Sequence, residues 1–343
     1  METLEAAGIA LGLFAAKTFL ILFAIIVVIL VIALIAAKAQ DKSELEIEHL
    51  HKRFKRFGQL LRSQTLSKSE KKAEQKKLKA ENKANKDKSL QDEKKIFVVD
   101  FDGDVRASAV ENLREEISAI LSAATTKDEV VVRVESPGGV VHGYGLAAAQ
   151  LLRVREHNIP LTVCVDKVAA SGGYMMACTA NKILSAPFAI VGSVGVVASV
   201  PNFHKVLKKH DVEYKEYTAG DYKRTVSILG EITTRGEEKF KEQLEATHVL
   251  FKNFVGSFRP QLDLQKVATG EYWYGEQAIA LGLVDEIKTS DEYLVQLAKN
   301  HSVIKVTFKK HQSLSEKLSG AVGQAMQRAG VKLLQELETR RYL

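Results

Sequence analysis

Two cysteines in 343 residues leave little scope for disulfide or thiol-metal chemistry. Cys164 and Cys178 lie 14 positions apart, each inside a predicted core element, so both read as buried thiols that identify no redox compartment. Metal-ligand spacing is missing too. The nine histidines are scattered, and none forms an H-x-x-x-H pair. Neither G-x-x-x-x-G-K-[ST] nor G-x-G-x-x-G occurs, so nucleotide chemistry has no support and no cofactor or metal is expected. A basic folded face is the other absence. The formal net charge is +7, but residues 38–95 alone hold 18 Lys and Arg against 10 Asp and Glu, which leaves the remainder near −1. Basicity confined to one segment excludes a folded nucleic-acid-binding surface. At 46% hydrophobic and 27% charged residues, the rest has the composition of a domain able to bury a large core.

A long hydrophobic run is present near the start. TFLILFAIIVVILVIALIAA, residues 18–37, gives 20 positions without a charge. At about 1.5 Å per residue this spans a hydrocarbon core of roughly 30 Å. The run exceeds a signal-peptide core and no small-residue cleavage site follows it, so a retained anchor is expected. Glu2, Glu5 and Lys17 precede the run, whereas Lys38, Lys42, Lys52, Arg53, Lys55 and Arg56 follow it. That asymmetry points the main domain toward the cytoplasm.

The expected organisation is a short segment over 1–17, an anchor over 18–37 and a basic, helical or disordered linker over 38–94. A folded domain over 95–300 follows, then a strand and an amphipathic helix over 301–343. In the linker, KSEKKAEQKKLKAENKANKDKS has almost no large apolar residues and reads as a solvated tether, with binding to anionic head groups as a secondary role. Within the domain, IFVVDF and EVVVRVES read as buried strands, and Val110, Leu113, Ile117, Ile120 and Leu121 mark one face of a helix. GYGLAAAQLLRVREHN (helix), PLTVCVDK (strand), YMMACTA (helix) and KILSAP (strand) continue the alternation, and EEKFKEQLEATHVLFKNFVGSFR forms a later helix. Such alternation predicts an α/β domain with a mostly parallel sheet. The apolar run over 183–200 contains Pro187, Gly192 and Gly195, so buried strands and a turn are expected rather than a second membrane span. Leu314, Leu318, Val322 and Met326 recur every four residues, and that face requires a partner.

Acyl transfer needs a nucleophile, a base and donors for a developing oxyanion. Ser171 precedes Gly172 and Gly173 at a predicted helix start, where backbone N–H groups are free and the dipole favours negative charge. Gly138 and Gly139 in SPGG offer a second tight turn at a strand end. Taken alone, ASGG fits a helix-capping serine better than a nucleophile. His142 and Lys223 are both candidate bases, and spacing does not choose between them. A lysine base must be neutral, and bringing its ordinary pKa of about 10.4 down to pH 7–8 costs about 3 to 4 kcal/mol.

These motifs in combination resemble the signal peptide peptidase A family of membrane-anchored Ser-Lys peptidases, in particular its SohB-type inner-membrane branch. ESPGG (135–139), DKVAASGGYMMA (166–177), GSVGVV (192–197), AGDYKR (219–224) and TGEYWYGEQAIALGLVDEI (269–287) carry the likeness, which runs from about residue 96 to 290. The resemblance implies a crotonase-like fold of repeated β-β-α units and a serine endopeptidase acting on apolar, extended peptides such as signal-peptide remnants or misfolded proteins. By position it makes Ser171 the nucleophile, Lys223 the general base and Ser193 the residue that orients the lysine. Gly139 and Gly172 become the oxyanion donors, and His142 lines the cleft or is structural. It further implies a homo-oligomeric ring in which the lysine of one subunit can serve the serine of another, in the bacterial inner membrane with the domain often facing the periplasm. The positive flank argues for the opposite side. Two competing readings are an acyl-CoA hydratase or thioesterase of the same fold class and a non-catalytic membrane scaffold.

Overall fold

In the computed structural model the described residues are 17–20, 22, 23, 26, 27, 44–67, 70, 71 and 94–309. Two compact units divide the chain, one over 45–308 and one formed by 1–44 and 309–343. Of the expected anchor, Thr18–Leu20, Leu22, Phe23, Ile26 and Val27 are helical and the other positions lie outside the described residues. Among the described residues no helix is long and apolar enough to cross a membrane. Of the expected linker over 38–94, residues 38–43, 68, 69 and 72–93 also lie outside them, as does the amphipathic helix after 309.

The larger unit is built on a seven-stranded sheet. Its strands are β1 (Glu44–His49), β2 (Lys95–Asp102), β3 (Glu129–Glu135), β4 (Leu161–Val165), β6 (Lys182–Ser185), β9 (Glu286–Ile287) and β10 (Ser302–Lys309), in the order β1-β10-β2-β3-β4-β6-β9. From β10 across to β9 every pairing is parallel. A second sheet holds β5 (Val168–Ala170), β7 (Ile190–Gly192) and β8 (Tyr272–Tyr274) in that order. The chain alternates between them: β4 and then β6 join the large sheet, and the strand after each, β5 and β7, joins the small one.

Strand composition follows burial. Ile96 to Val99 are all buried because both faces of the sheet are covered there. On one face lie α2 (Val110–Ala123), α3 (Val141–Glu156), α4 (Gly172–Ala177) and part of α6 (Thr234–Phe258). The spacing read from sequence in α2 holds, since Val110, Leu113, Ile117 and Ile120 all enter this core. On the other face a smaller cluster joins Ile96, Val98, Val131, Cys164, Leu184 and Val303 to Leu50 of α1 (Leu50–Thr65) and Leu294 of α9 (Ser290–Leu297). Both cysteines are buried and free, and burial pushes both thiols well above their ordinary range. Short helices α5 (His204–Lys209), α7 (Leu264–Val267) and α8 (Gly275–Ala278) complete the unit.

Its limits differ from the 95–300 read in the sequence. Strand β10 lies between β1 and β2, so residues 45–65 and 302–308 belong to the unit. The run over 183–200 also divides. β6 and β7 are strands as expected, but 195–200 form no regular structure and Val197 is 88% exposed.

Candidate active site

Parallel pairing of β5 with β7 sets the centre of the site. Ala170 sits opposite Gly192, so the next residue of each strand, Ser171 and Ser193, leaves the sheet from adjacent ends. Neighbouring strands run roughly 5 Å apart. The Ser171 N–H donates to the Gly192 carbonyl at 2.8 Å and ties the two ends together. Both serines have positive φ, 51° and 53°. A non-glycine residue there is strained by about 1–3 kcal/mol and persists only where its surroundings impose it.

Ser171 occupies the N-cap position of α4, with φ 51° and ψ −116°, yet its side chain makes no capping hydrogen bond. Ordinary capping requires an extended backbone, which turns the hydroxyl onto the amides of the first turn. The conformation here excludes that role. The capping explanation left open by ASGG is therefore removed.

SPGG closes over this helix start. Ser136 bridges to Ala169 of β5, donating its N–H to Val168 and accepting from Ala170. Gly138 has φ 90°, and a methyl placed on it would lie 2.7 Å from Ser171 Cβ and 2.8 Å from the Gly172 nitrogen. At Gly139 a methyl would stand 2.1 Å from the Val105 carbonyl oxygen. Only glycines permit this approach. Among the described residues the N–H groups of Gly139 and Gly172 have no intramolecular acceptor, whereas Gly138 donates to Ser136 Oγ and Val140 to the Val105 carbonyl. Two unsatisfied amides therefore flank the serine turn.

A buried network holds them, and sequence reasoning missed it. The Ser136 and Tyr144 hydroxyls lie 2.5 Å apart, and Tyr144 Oη donates to the Asp104 carbonyl at 2.8 Å. That leaves Ser136 Oγ as donor to Tyr144 and acceptor from Gly138. The Tyr144 ring also lies against Gly172, where a methyl would meet Cγ at 2.3 Å. Burial pushes the phenol pKa up, so it stays a donor. The signal was available in the serine that opens SPGG and the tyrosine eight residues on.

Ser193 donates its N–H to Glu271 at 2.7 Å and its Oγ to Gly270 at a long 3.4 Å. His248 of α6 contacts the adjoining Val194 carbonyl at 3.2 Å. Exposed His142 stands in the first turn of α3, and its side chain makes no hydrogen bond among the described residues. Lys223 lies on an exposed loop, its N–H bonded to Gly220. Among the described residues no hydrogen bond or ion pair links it to Ser171 or Ser193. Its neighbours tie the loop to α6: Arg235 donates to Tyr222 Oη at 3.1 Å, and the Tyr222 ring takes Arg235 and Lys239 at 5.2 and 5.1 Å. The described residues hold no cluster of metal-ligating side chains.

One cavity of about 290 Å³ lies elsewhere, lined by Asp100, Arg133, Glu135, Cys164 and Asp166 among others. Most of its charged groups have partners, Arg133 with Asp100, Lys167 with Glu135, and Asp166 with the Ser290 N–H and hydroxyl, whereas the Asp102 carboxylate has none among the described residues. It includes none of the serine-site residues.

Residues 8–151 match the model of the peptidase family S49 N-terminal region, and residues 153–304 match that of peptidase family S49 itself. The chain belongs to peptidase family S49. Both SPGG and Ser171 fall within the matched regions. The chain is 48% identical over 341 residues to a probable protease SohB of Haemophilus influenzae, covering 96% of each. A probable protease SohB of Buchnera aphidicola subsp. Schlechtendalia chinensis is 47% identical over 296 residues, 82% of this chain and 97% of that one. Among solved structures, a mutant of the 1510-N membrane-bound stomatin-specific protease with a substrate peptide aligns with TM-score 0.42 and 14% identity. That alignment covers 67% of this chain and 98% of the other. As an S49 member of the SohB type, the chain is a protease of α/β fold.

Proposed function

We propose that this S49 peptidase is a serine endopeptidase of the bacterial inner membrane, held by one N-terminal anchor over 18–37, with a crotonase-like domain. Ser171 is the nucleophile. Its Oγ attacks the scissile carbonyl while its proton passes to the neutral amine of Lys223, and the carbonyl electrons move onto the oxygen. The Gly139 and Gly172 amides receive that oxyanion. Collapse expels the amine, which takes the proton from Lys223, and water then cleaves the acyl-enzyme by the same route. Ser193 orients the lysine amine. No cofactor takes part.

The observation that carries this reading is the Ser171 turn: a strained, uncapped serine at a helix start, beside two amides without acceptors. Substrates are apolar, extended peptides, including signal-peptide remnants and misfolded chains. A homo-oligomeric ring brings Lys223 of one copy to Ser171 of another. In support, Val197, Phe203, Val206, Val212 and Tyr217 are exposed along residues 195–223, the segment that also bears Lys223.

The test is hydrolysis of a fluorogenic apolar peptide by the full chain, Ser171→Ala and Lys223→Met across pH 7–10, after checking that all three assemble alike. Loss in both variants and a parent rate that rises with pH are expected. Activity surviving in Lys223→Met would move the base elsewhere, with His142 next.

A further inference from the structure

Helix α1 carries an apolar face that its own domain leaves half uncovered. Leu50 is its one buried residue, Phe54 packs beside it, and His51 Nδ1 contacts the Val303 carbonyl at 3.0 Å. Beyond this first turn and a half, Phe57, Leu60 and Leu61 are 48%, 57% and 72% exposed. At 100° per residue, Leu50, Phe54, Phe57, Leu60 and Leu61 fall within an arc of about 120°. The stripe that docks the helix therefore continues past its docking site into solvent.

Charge distinguishes the occupants. Residues 50–65 hold Lys52, Arg53, Lys55, Arg56 and Arg62 and no Asp or Glu. A second copy of α1 would bring like charges together across the interface, which is unfavourable. The two undescribed segments that flank the domain's described parts on the C-terminal side of α1 do not complement it either: 72–93 holds seven Lys against five Asp and Glu, and 310–343 six Lys and Arg against three Glu, while the acidic 1–16 lies before the apolar run. An apolar stripe with Arg53 set within it, paired to Glu48, and the other Lys and Arg outside it fits an anionic bilayer surface, where the rings and leucines enter the head-group boundary and the cations stay at the phosphates. Reach permits it. Six residues separate Ala37, the end of the apolar run, from Glu44 of β1, and they extend no further than about 20 Å.

We propose that α1 is an interfacial helix that lays Phe57, Leu60 and Leu61 into an anionic leaflet and so fixes the peptidase domain against the membrane surface. The tether argument rests on the anchored reading of 18–37; the amphipathic pattern does not.

The test uses full-length protein in vesicles of phosphatidylcholine, with or without 30% phosphatidylglycerol. An environment-sensitive fluorophore is attached at Leu61→Cys or, separately, at Val27→Cys; native Cys164 and Cys178 are fully buried. Lipid-borne quencher is expected to quench the Leu61 probe at least about twofold more with phosphatidylglycerol, and 0.5 M salt or the pair Lys52→Glu and Arg56→Glu is expected to abolish the difference. A Val27 probe in lipid with the Leu61 probe in water in both vesicles overturns the inference and leaves the anchor standing. The reverse result overturns the anchor and keeps the inference. Equal shielding of Leu61 in both vesicles and in detergent assigns the face to protein and overturns the lipid assignment.

Discussion

Gly139→Ala and Gly145→Ala are the same substitution six residues apart, with opposite expected outcomes. At Gly139 the added methyl falls 2.1 Å from the Val105 oxygen and 2.7 Å from its Cα, both backbone atoms that cannot rotate away. Relief to ordinary contact needs a displacement of roughly 1 Å. The Val140 N–H to Val105 hydrogen bond, 2.8 Å long, breaks with it. Overpacking at about 1–3 kcal/mol plus about 1 kcal/mol for the bond gives a loss of about 2–4 kcal/mol. Activity falls further, because the Gly139 amide moves with its turn. Misplacing or losing one oxyanion donor costs about 10² to 10³ in kcat. At Gly145, within α3, no atom lies within 4 Å of the added methyl. There alanine is expected to stabilise by about 0.5–1 kcal/mol through helix propensity and to leave kcat unchanged. Urea denaturation and peptide hydrolysis on both variants decide the matter. A Gly139→Ala protein with parental kcat at temperatures where it is folded would refute the oxyanion assignment.

Three further outcomes follow from the same geometry. Tyr144→Phe removes the hydroxyl joining Ser136 to Asp104, so a stability loss of about 1–3 kcal/mol and a fall in kcat with little change in KM are expected; an unaltered kcat would make the network purely structural. Glu116, buried in α2 and accepting from the Phe308 N–H, has its pKa raised to about 7 by burial, with Asp100 adding to the rise and Lys305 opposing it. Its folded value exceeds its unfolded one, so its contribution is complete below about pH 4.5 and is lost as pH climbs through 7. Glu116→Gln should flatten that slope and gain about 2 kcal/mol over the parent at pH 8, measured by urea midpoints at several pH values. Arg235→Ala frees Tyr222 and Asp221 beside Lys223, and a roughly tenfold lower kcat with unchanged thermal stability is expected if that loop positions the base.

Local patterns in the sequence correspond closely to local structure. IFVVDF, EVVVRVES and PLTVCVDK form strands because runs rich in β-branched and aromatic residues sit where both sheet faces are covered. The turns SPGG and ASGG were legible as glycine-rich strand ends, since their backbones admit no side chain. Long-range pairing was not. Nothing in ELEIEH or SVIKVTFK says that β10 lies beside β2 with β1 outside it, because period-two alternation sets a face and not a neighbour. The charges after residue 50 allowed a helix but concealed that it docks on the sheet through Leu50. The run over 183–200 reads as buried strands and a turn, and the chain does turn off the sheet at Ser193, but 195–200 are left without a partner strand. Ser193 and Ser171 are 22 residues apart, and their adjacency comes from β5–β7 register alone. Lys223 could be named from family resemblance, but no periodicity in the sequence marks it as a base.

The most direct measurement is covalent labelling of the assembled full chain with a fluorophosphonate, followed by peptide mass spectrometry. The account predicts one adduct per chain on Ser171, and none in folded, assembled Lys223→Met under the same conditions. An adduct on another serine, or undiminished labelling of Ser171 without Lys223, would contradict it.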